Sequence, residues 1–299
     1  MYNKSIYAFI MVLKNRFQNI NAEIANFINT HRLCAFTNKA LYQELRVKRK
    51  EWNLYASDKG KKFVVYLLEN KILSRKDFRD QDGRMKEIYH LPNSDTLSIY
   101  TGLKKNAYFT HFTAMYLNQL TLQIPKTHYL NFEHYPDTYK ATLSQKLIDE
   151  SFKKPQRKSN TFYSFKGNKI YLTNGKYTNR LGVISVKNKN TFYEYTNLER
   201  TLIDITIRPV YAGGVFEVLE AYKRAKNRID VQKLKKYLLK LNYIYPYNQL
   251  IGFYLEKANY SESQVDIFKY EQIYNFYLTY NLKKPKFSEK WKIWYPIGF

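Results

Sequence analysis

The sequence predicts an α+β protein, with a helix-rich N-terminal domain ahead of a mixed α/β C-terminal one. Three observations carry that expectation. Apolar residues at helical spacing dominate the first part of the chain, short β-patterned runs bounded by turn signals fill the middle, and amphipathic helical runs return after Asn197. The 299 residues suffice for one large domain or two ordinary ones. A hydrophobic content of 44% supports a real core and excludes a wholly disordered chain.

Taken in order, the first apolar run is Ile6 to Leu13, between Lys4 and Lys14. No small-residue cleavage site follows it, so it reads as a buried strand or opening helix rather than a signal peptide. Phe17 to Phe36 carries Ile20, Ile24, Phe27 and Ile28 at helical spacing. Thr37 is an N-cap candidate for a helix over Asn38 to Arg46, with Leu41 and Leu45 inward. The basic cluster Lys48, Arg49 and Lys50 then begins a longer connection. Ser57 is the next candidate cap, opening a helix to about Lys71 with Val64, Leu67, Leu68 and Ile72 on one side. Ile72 to Asp77 and Met85 to Leu91 read as strands around an Asp82-Gly83 hairpin signal flanked by Arg79 and Arg84. A turn-rich pentapeptide, Leu91 to Asp95, divides residues 1–92 from residues 93–299.

Three helices followed by a basic-tipped hairpin is the order of a winged helix-turn-helix. A recognition helix enters the major groove only if its outward face carries cations and hydrogen-bond donors. At 100° per residue that face holds Lys59, Lys62, Tyr66 and Asn70. Arg79, Arg84 and Lys86 are the matching wing contacts to phosphates, and Lys48, Arg49 and Lys50 add attraction. The same pattern equally fits the solvated face of an ordinary core helix. The connection from Arg46 to Ser57 is also longer than the usual turn of such a motif.

Residues 93–299 are mixed. Thr110 is a cap for a helix to about Leu120, Thr127 to Phe132 alternates like a strand, and Leu143 to Phe152 is helical in pattern. Strand patterns follow at Thr161–Phe165, Lys169–Thr173, Arg180–Val186 and Thr191–Tyr195, with turns at Lys166-Gly167-Asn168 and Asn174-Gly175. Helical patterns cover Leu198–Arg208, Val215–Lys226, Val231–Leu241 and Gln249–Ala258, before an aromatic-rich tail. In the first of these helices Arg200, Asp204 and Arg208 stand four apart, a cation–anion–cation ladder, and Glu199 falls in the first turn beneath the cap Asn197. Apolar residues fill much of the remaining circumference, so the helix is expected to be buried and its charges partnered.

Charge narrows the function classes. There are 50 Lys and Arg against 25 Asp and Glu, a net charge of +25, which points to a polyanionic partner. The excess is even, +9 over residues 1–92 and +16 over the rest. No stretch reaches the ~18–20 apolar residues that span a bilayer, so no membrane partner is expected and the setting reads as cytoplasmic. The single cysteine, Cys34, excludes an intramolecular disulfide framework and reads as a small buried hydrophobe. There is no phosphate-binding loop, no dinucleotide fingerprint and no nucleophile elbow. The five histidines show no metal-ligand spacing, so no metal, cofactor or catalytic role is expected. The 30 tyrosines fit base-stacking platforms or, more simply, half-buried packing in a composition rich in Tyr, Lys, Asn and Ile.

The run Thr196-Asn197-Leu198-Glu199-Arg200-Thr201-Leu202-Ile203-Asp204 is more specific. Together with Arg208-Pro209, Tyr211-Ala212-Gly213-Gly214 and Val218-Leu219-Glu220-Ala221-Tyr222, it resembles the C-terminal domain of AbiEi-type antitoxins. Tyr108 to Leu120 and the strand at His128-Tyr129-Leu130 resemble the opening of that domain, and the likeness spans roughly residues 35–260. These antitoxins are transcriptional regulators of viral-defence loci. The resemblance implies an N-terminal winged helix-turn-helix, a repressor that binds inverted repeats in its own double-stranded promoter DNA, and neutralisation of a co-encoded nucleotidyltransferase-like toxin, by direct contact or otherwise; a homodimer on that DNA is one arrangement, and the sequence leaves the oligomeric state open. Two rivals stand beside it: a metal-dependent nuclease or RNA-acting enzyme using Glu199 and Asp204, and a module that binds an acidic protein or tRNA.

Overall fold

The computed structural model describes residues 16–135, 142–269 and 273–299; the Ile6–Leu13 run lies outside them. The protein is mixed α+β, as expected, and divides into two compact units. Of the described residues, 16–106, 163–166 and 185–193 belong to the first, and those within 107–162, 167–184 and 194–299 belong to the second. The turn at Leu91 to Asp95 therefore lies within the first unit, whose main boundary falls at 106/107.

In the first unit, helix α1 (Asn21–Thr30) buries Ile24 and Ile28. The expected helix to Phe36 stops early, because Ala35 and Phe36 leave it as strand β1 and pair antiparallel with His90 and Tyr89. Tertiary pairing here overrides local periodicity. Helix α2 (Asn38–Lys48) starts as the sequence predicts, with Thr37 Oγ1 accepting from the Ala40 amide and Leu41 and Leu45 buried. Helix α3 (Gly60–Glu69) begins at Lys59 rather than Ser57. The carboxylate of buried Asp58 instead accepts from the Tyr55 amide and holds the preceding turn.

Strands β2 (Ser74–Asp80) and β3 (Met85–His90) form the hairpin, with Gly83 at φ +82. Helix α4 (Thr96–Thr101) follows, its first turn capped by Asp95. The unit's strand order is β1-β3-β2-β6, where β6 is Phe162–Phe165 and pairs antiparallel with β2. Its core gathers Phe17, Ile24, Ile28, Leu41, Leu45, Trp52, Phe63 and Leu67.

The second unit opens with β4 (Tyr108–Phe109), α5 (His111–Leu117), β5 (Thr127–Glu133) and α6 (Gln145–Phe152). Strand β7 (Asn168–Gly175) follows, and β8 (Val183–Asn188) and β9 (Thr191–Thr196) are shared with the first unit, which takes residues 185–193. Here the order is β7-β5-β4-β9, with β5 parallel to β7, β4 antiparallel to β5, and β9 parallel to β4. Asn174-Gly175, expected as a turn, is the end of β7 and pairs with Phe132 and Glu133. A Cβ at Gly175 would lie 2.6 Å from Asn131 Oδ1, so this glycine serves close packing within the sheet.

Helix α7 (Leu198–Ile207) comes next, then a short 3-10 turn at Pro209–Tyr211, α8 (Val215–Ala225), α9 (Val231–Leu241), α10 (Tyr247–Lys257) and α11 (Glu262–Asp266). Gly213 and Gly214 sit at φ +85 and +100 and redirect the chain into α8. The tail folds as three short strands, β10 (Phe276–Tyr277), β11 (Lys286–Ser288) and β12 (Ile293–Tyr295), in the order β10-β12-β11. Trp291 is fully buried against Gly252 of α10, where a Cβ would come within 2.2 Å of its ring. Among the described residues no helix is long and apolar enough to cross a membrane.

Candidate functional site

Helix α3 has an outward face, but rotated from the expected one. Lys61, Lys62, Val65 and Glu69 are exposed, as is Lys59 at the N-cap, whereas Tyr66 is 5% exposed. The Tyr66 hydroxyl donates to the Phe17 carbonyl (2.9 Å) or the Asn21 side-chain oxygen (2.6 Å), and its ring packs against Phe17. Burial pushes its pKa up. Tyr66 therefore leaves the set of groove-reading residues. Its polar tip reads as surface in a pattern, yet a tyrosine is buried readily once that tip finds a partner. Asn70 is exposed at the C-cap, but its amide nitrogen donates to the Tyr66 carbonyl (2.9 Å). Lys61, absent from the expected set, belongs to the face; its spacing to Val65 was the available signal.

At the hairpin, Arg79 and Arg84 are exposed, Arg84 80% so, with Asp82 at 3.9 Å from its guanidinium. Lys86 departs from its expected wing role. It turns inward, donates to the Leu103 carbonyl (2.7 Å) and the Tyr163 hydroxyl (3.4 Å), and burial lowers its pKa, with Lys104 adding to the effect. Alternation along a strand sends neighbours to opposite faces, which places Met85 outward and Lys86 against the unit. Arg75, unnoticed in the sequence, is committed to Asp77 (3.2 Å) and Glu87 (3.1 Å).

The Lys48-Arg49-Lys50 cluster divides similarly. Lys48 pairs with Glu51 at 2.7 Å. Arg49 donates to the carbonyls of Tyr55 and Asp58 (2.9 Å for the latter) and so pins the long connection to α3. Both are occupied in structural work, in contrast to their expected role; Lys50 remains exposed. Thus Lys50, Lys59, Lys62, Asn70, Arg79 and Arg84 stand exposed as expected, while Lys48, Arg49, Tyr66 and Lys86 are engaged with the protein itself.

In the second unit, the expected ladder on α7 shortens to one pair. Asn197 caps the helix, its side chain accepting from the Arg200 amide (3.1 Å). Arg200 Nε and Asp204 Oδ1 are 2.8 Å apart, and both residues are buried. The guanidinium also donates to Thr178 (3.2 Å) and to the Leu181 carbonyl (2.8 Å). Burial pushes the Asp204 carboxyl above its ordinary range against the pull of Arg200. Burial also works against the Arg200 charge, but Asp204 outweighs it and the guanidinium titrates above its usual value.

Arg208 is the C-cap, at φ −130 and ψ 67, so the helical four-residue spacing no longer applies to it. It reaches the Arg157 carbonyl at 3.5 Å instead of Asp204. Glu199 turns to Lys233 at 2.9 Å and to the Asp230 amide. The two carboxylates of the rival nuclease reading thus have separate partners.

Cys34 is buried, and burial pushes its thiol up to about 11, which fits a packing role. His111 and His128 are buried, and burial holds them down at about 3 and about 4, so both are neutral at pH 7. Among the described residues no three His, Cys, Asp or Glu side chains converge on a common metal position. Many tyrosines pack inside, among them Tyr100, Tyr108, Tyr222 and Tyr254.

No protein-family model matches this chain, and no curated protein sequence does either. Among solved structures, the crystal structure of the Rv2827c protein from Mycobacterium tuberculosis is similar to it. The identity is 11%, the match covers 92% of this chain and 90% of that one, and the TM-score is 0.51. At that identity the likeness concerns the fold.

Proposed function

We propose that this protein is a sequence-specific, double-stranded-DNA-binding transcriptional repressor whose first unit is a winged helix-turn-helix. One observation carries the reading: α3 presents Lys59, Lys61 and Lys62 to solvent, with no carboxylate pairing to them among the described residues. The order of elements supports it, since helix, strand, helix, helix and hairpin run α1-β1-α2-α3-β2-β3 with β1 paired to β3. Arg79 and Arg84 on the hairpin are the wing cations that would lie against phosphates. Lys86, Tyr66, Lys48 and Arg49 have no part in it.

The antitoxin role is the second half of the proposal and rests on the residue string Asn197 to Asp204 with its flanking glycine pair. On this reading the protein restrains its own promoter and counters a neighbouring nucleotidyltransferase-like toxin, without catalysis of its own.

A gel-shift titration of the full chain against duplex DNA from upstream of its own gene tests the first half. For ~6 phosphate contacts the log–log salt slope is about −5, and losing two flattens it to about −3.6. Lys61→Glu with Lys62→Glu should abolish retention while the melting curve stays put. Undiminished retention would remove α3 from the interface.

A further inference from the structure

The second unit contains a cavity of about 590 Å³ that the DNA reading does not use. That volume is within the range of small-ligand sites, roughly 300–1,000 Å³. Its lining is chemically lopsided. Arg208, Arg157 and Lys158 face it, and no carboxylate among the described residues pairs with any of them. Asp204 is the one carboxylate among its lining residues, and its Oδ1 already belongs to Arg200.

The other oxygen of Asp204 gives the second clue. Asp204 Oδ2 is buried and has no hydrogen-bond partner. A buried acceptor left unmet is costly, so a donor supplied from the cavity would relieve it. The third clue is aromatic. Tyr243, Tyr245 and Tyr247 line the same space, with Tyr243 edge-on to Tyr247 at 5.5 Å. Tyrosine rings offer flat faces on which a planar ring can stack.

Each clue removes a ligand class. An apolar molecule leaves the cations and Asp204 unmet, a bare anion leaves the acceptor and the rings idle, and a sugar phosphate lacks the planar π-face that a flat tyrosine ring stacks against. We propose that this cavity is a nucleotide site. The phosphate would sit among Arg208, Arg157 and Lys158, a ribose hydroxyl or base N–H would donate to Asp204 Oδ2, and the base would stack on the tyrosine wall. The same chemistry is offered by a free mononucleotide and by the terminal residue of a single strand.

Calorimetric titration of the full chain separates these cases, using AMP, GMP, CMP and UMP, inorganic phosphate, and a single-stranded RNA pentamer as probes. At least one mononucleotide or the pentamer should bind about tenfold more tightly than phosphate, and Arg208→Glu should weaken it by a further factor of about ten with the melting curve unchanged. Tyr245→Ala should weaken the same probe and leave phosphate binding alone. Preference for the pentamer assigns the site to strand ends, and preference for a mononucleotide assigns it to the free form. Phosphate binding as tightly as every nucleotide overturns the proposal, as does nucleotide binding indifferent to both variants. Retention of duplex DNA is expected to be unchanged in Arg208→Glu; loss of duplex and nucleotide together would reduce the cavity to general electrostatic attraction and also overturn it.

Discussion

Helices α3 and α7 are both ten residues long and both rich in charge, yet they treat that charge in opposite ways. On α3 the lysines point to water and have no acidic partner among the described residues, while the apolar side, Phe63, Val64 and Leu67, is sealed in the core. On α7 eight consecutive residues from Glu199 to Thr206 are buried, charges included, and Arg200 pairs with Oδ1 of Asp204. A charge held in water remains available to a partner. A charge held inside is part of the architecture, and removing one member strands the other.

The contrast breaks first, and hardest, at Arg200. Arg200→Ala should cost about 3–5 kcal/mol by leaving Asp204 buried and alone; chemical denaturation giving a loss under 1 kcal/mol would mean the pair is no keystone. Next comes the histidine beside it. His111 is held neutral by burial, with Arg208 and Arg200 adding to the effect, and its folded pKa of about 3 lies below the unfolded value of 6.5. A depressed histidine stabilises the fold above the unfolded pKa, and that contribution drains as the pH falls from 6.5 towards 3. At about 1.4 kcal/mol per pH unit, roughly 3 kcal/mol is gone by pH 4. In His111→Gln this part of the acid-side slope should vanish from a pH series of unfolding curves.

The mildest expected effect sharpens the comparison on α3 itself. Tyr66→Phe removes a buried hydroxyl from its acceptors and should cost about 1 kcal/mol with DNA retention intact. Lys62→Ala should do the reverse, staying within about 0.5 kcal/mol in stability while weakening retention. Gel shift and denaturation run side by side on the two variants read both.

The same pair of helices explains what could be read from the sequence. Caps at Thr37 and Asn197 were legible because a short polar side chain ahead of an amphipathic run has one good use. The span Val231–Leu241 and the glycine pair were equally plain. The face of α3 was legible only to within one residue, since a tyrosine fits water or core and only the Phe17 carbonyl and Asn21 decided it. Lys86 and Arg49 were misplaced because their partners, the Leu103 and Asp58 carbonyls, are backbone atoms that no side-chain pattern announces. Arg208 failed for another reason: a spacing argument assumes the helix continues, and Pro209 ends it. The cavity was invisible for the most general reason, being assembled from α7, the loop at 243–247 and β7, which only the fold brings together.

The notch at Gly252 sets a timetable for synthesis. Helix α10 leaves the ribosome with a bare gap in its flank and with Gln249 waiting to donate to the Trp291 carbonyl, 42 residues downstream. Until that indole arrives the space beside Gly252 is unfilled. The core of the second unit, to which Phe276, Trp291 and Ile293 belong, is therefore complete only once these late residues have been added.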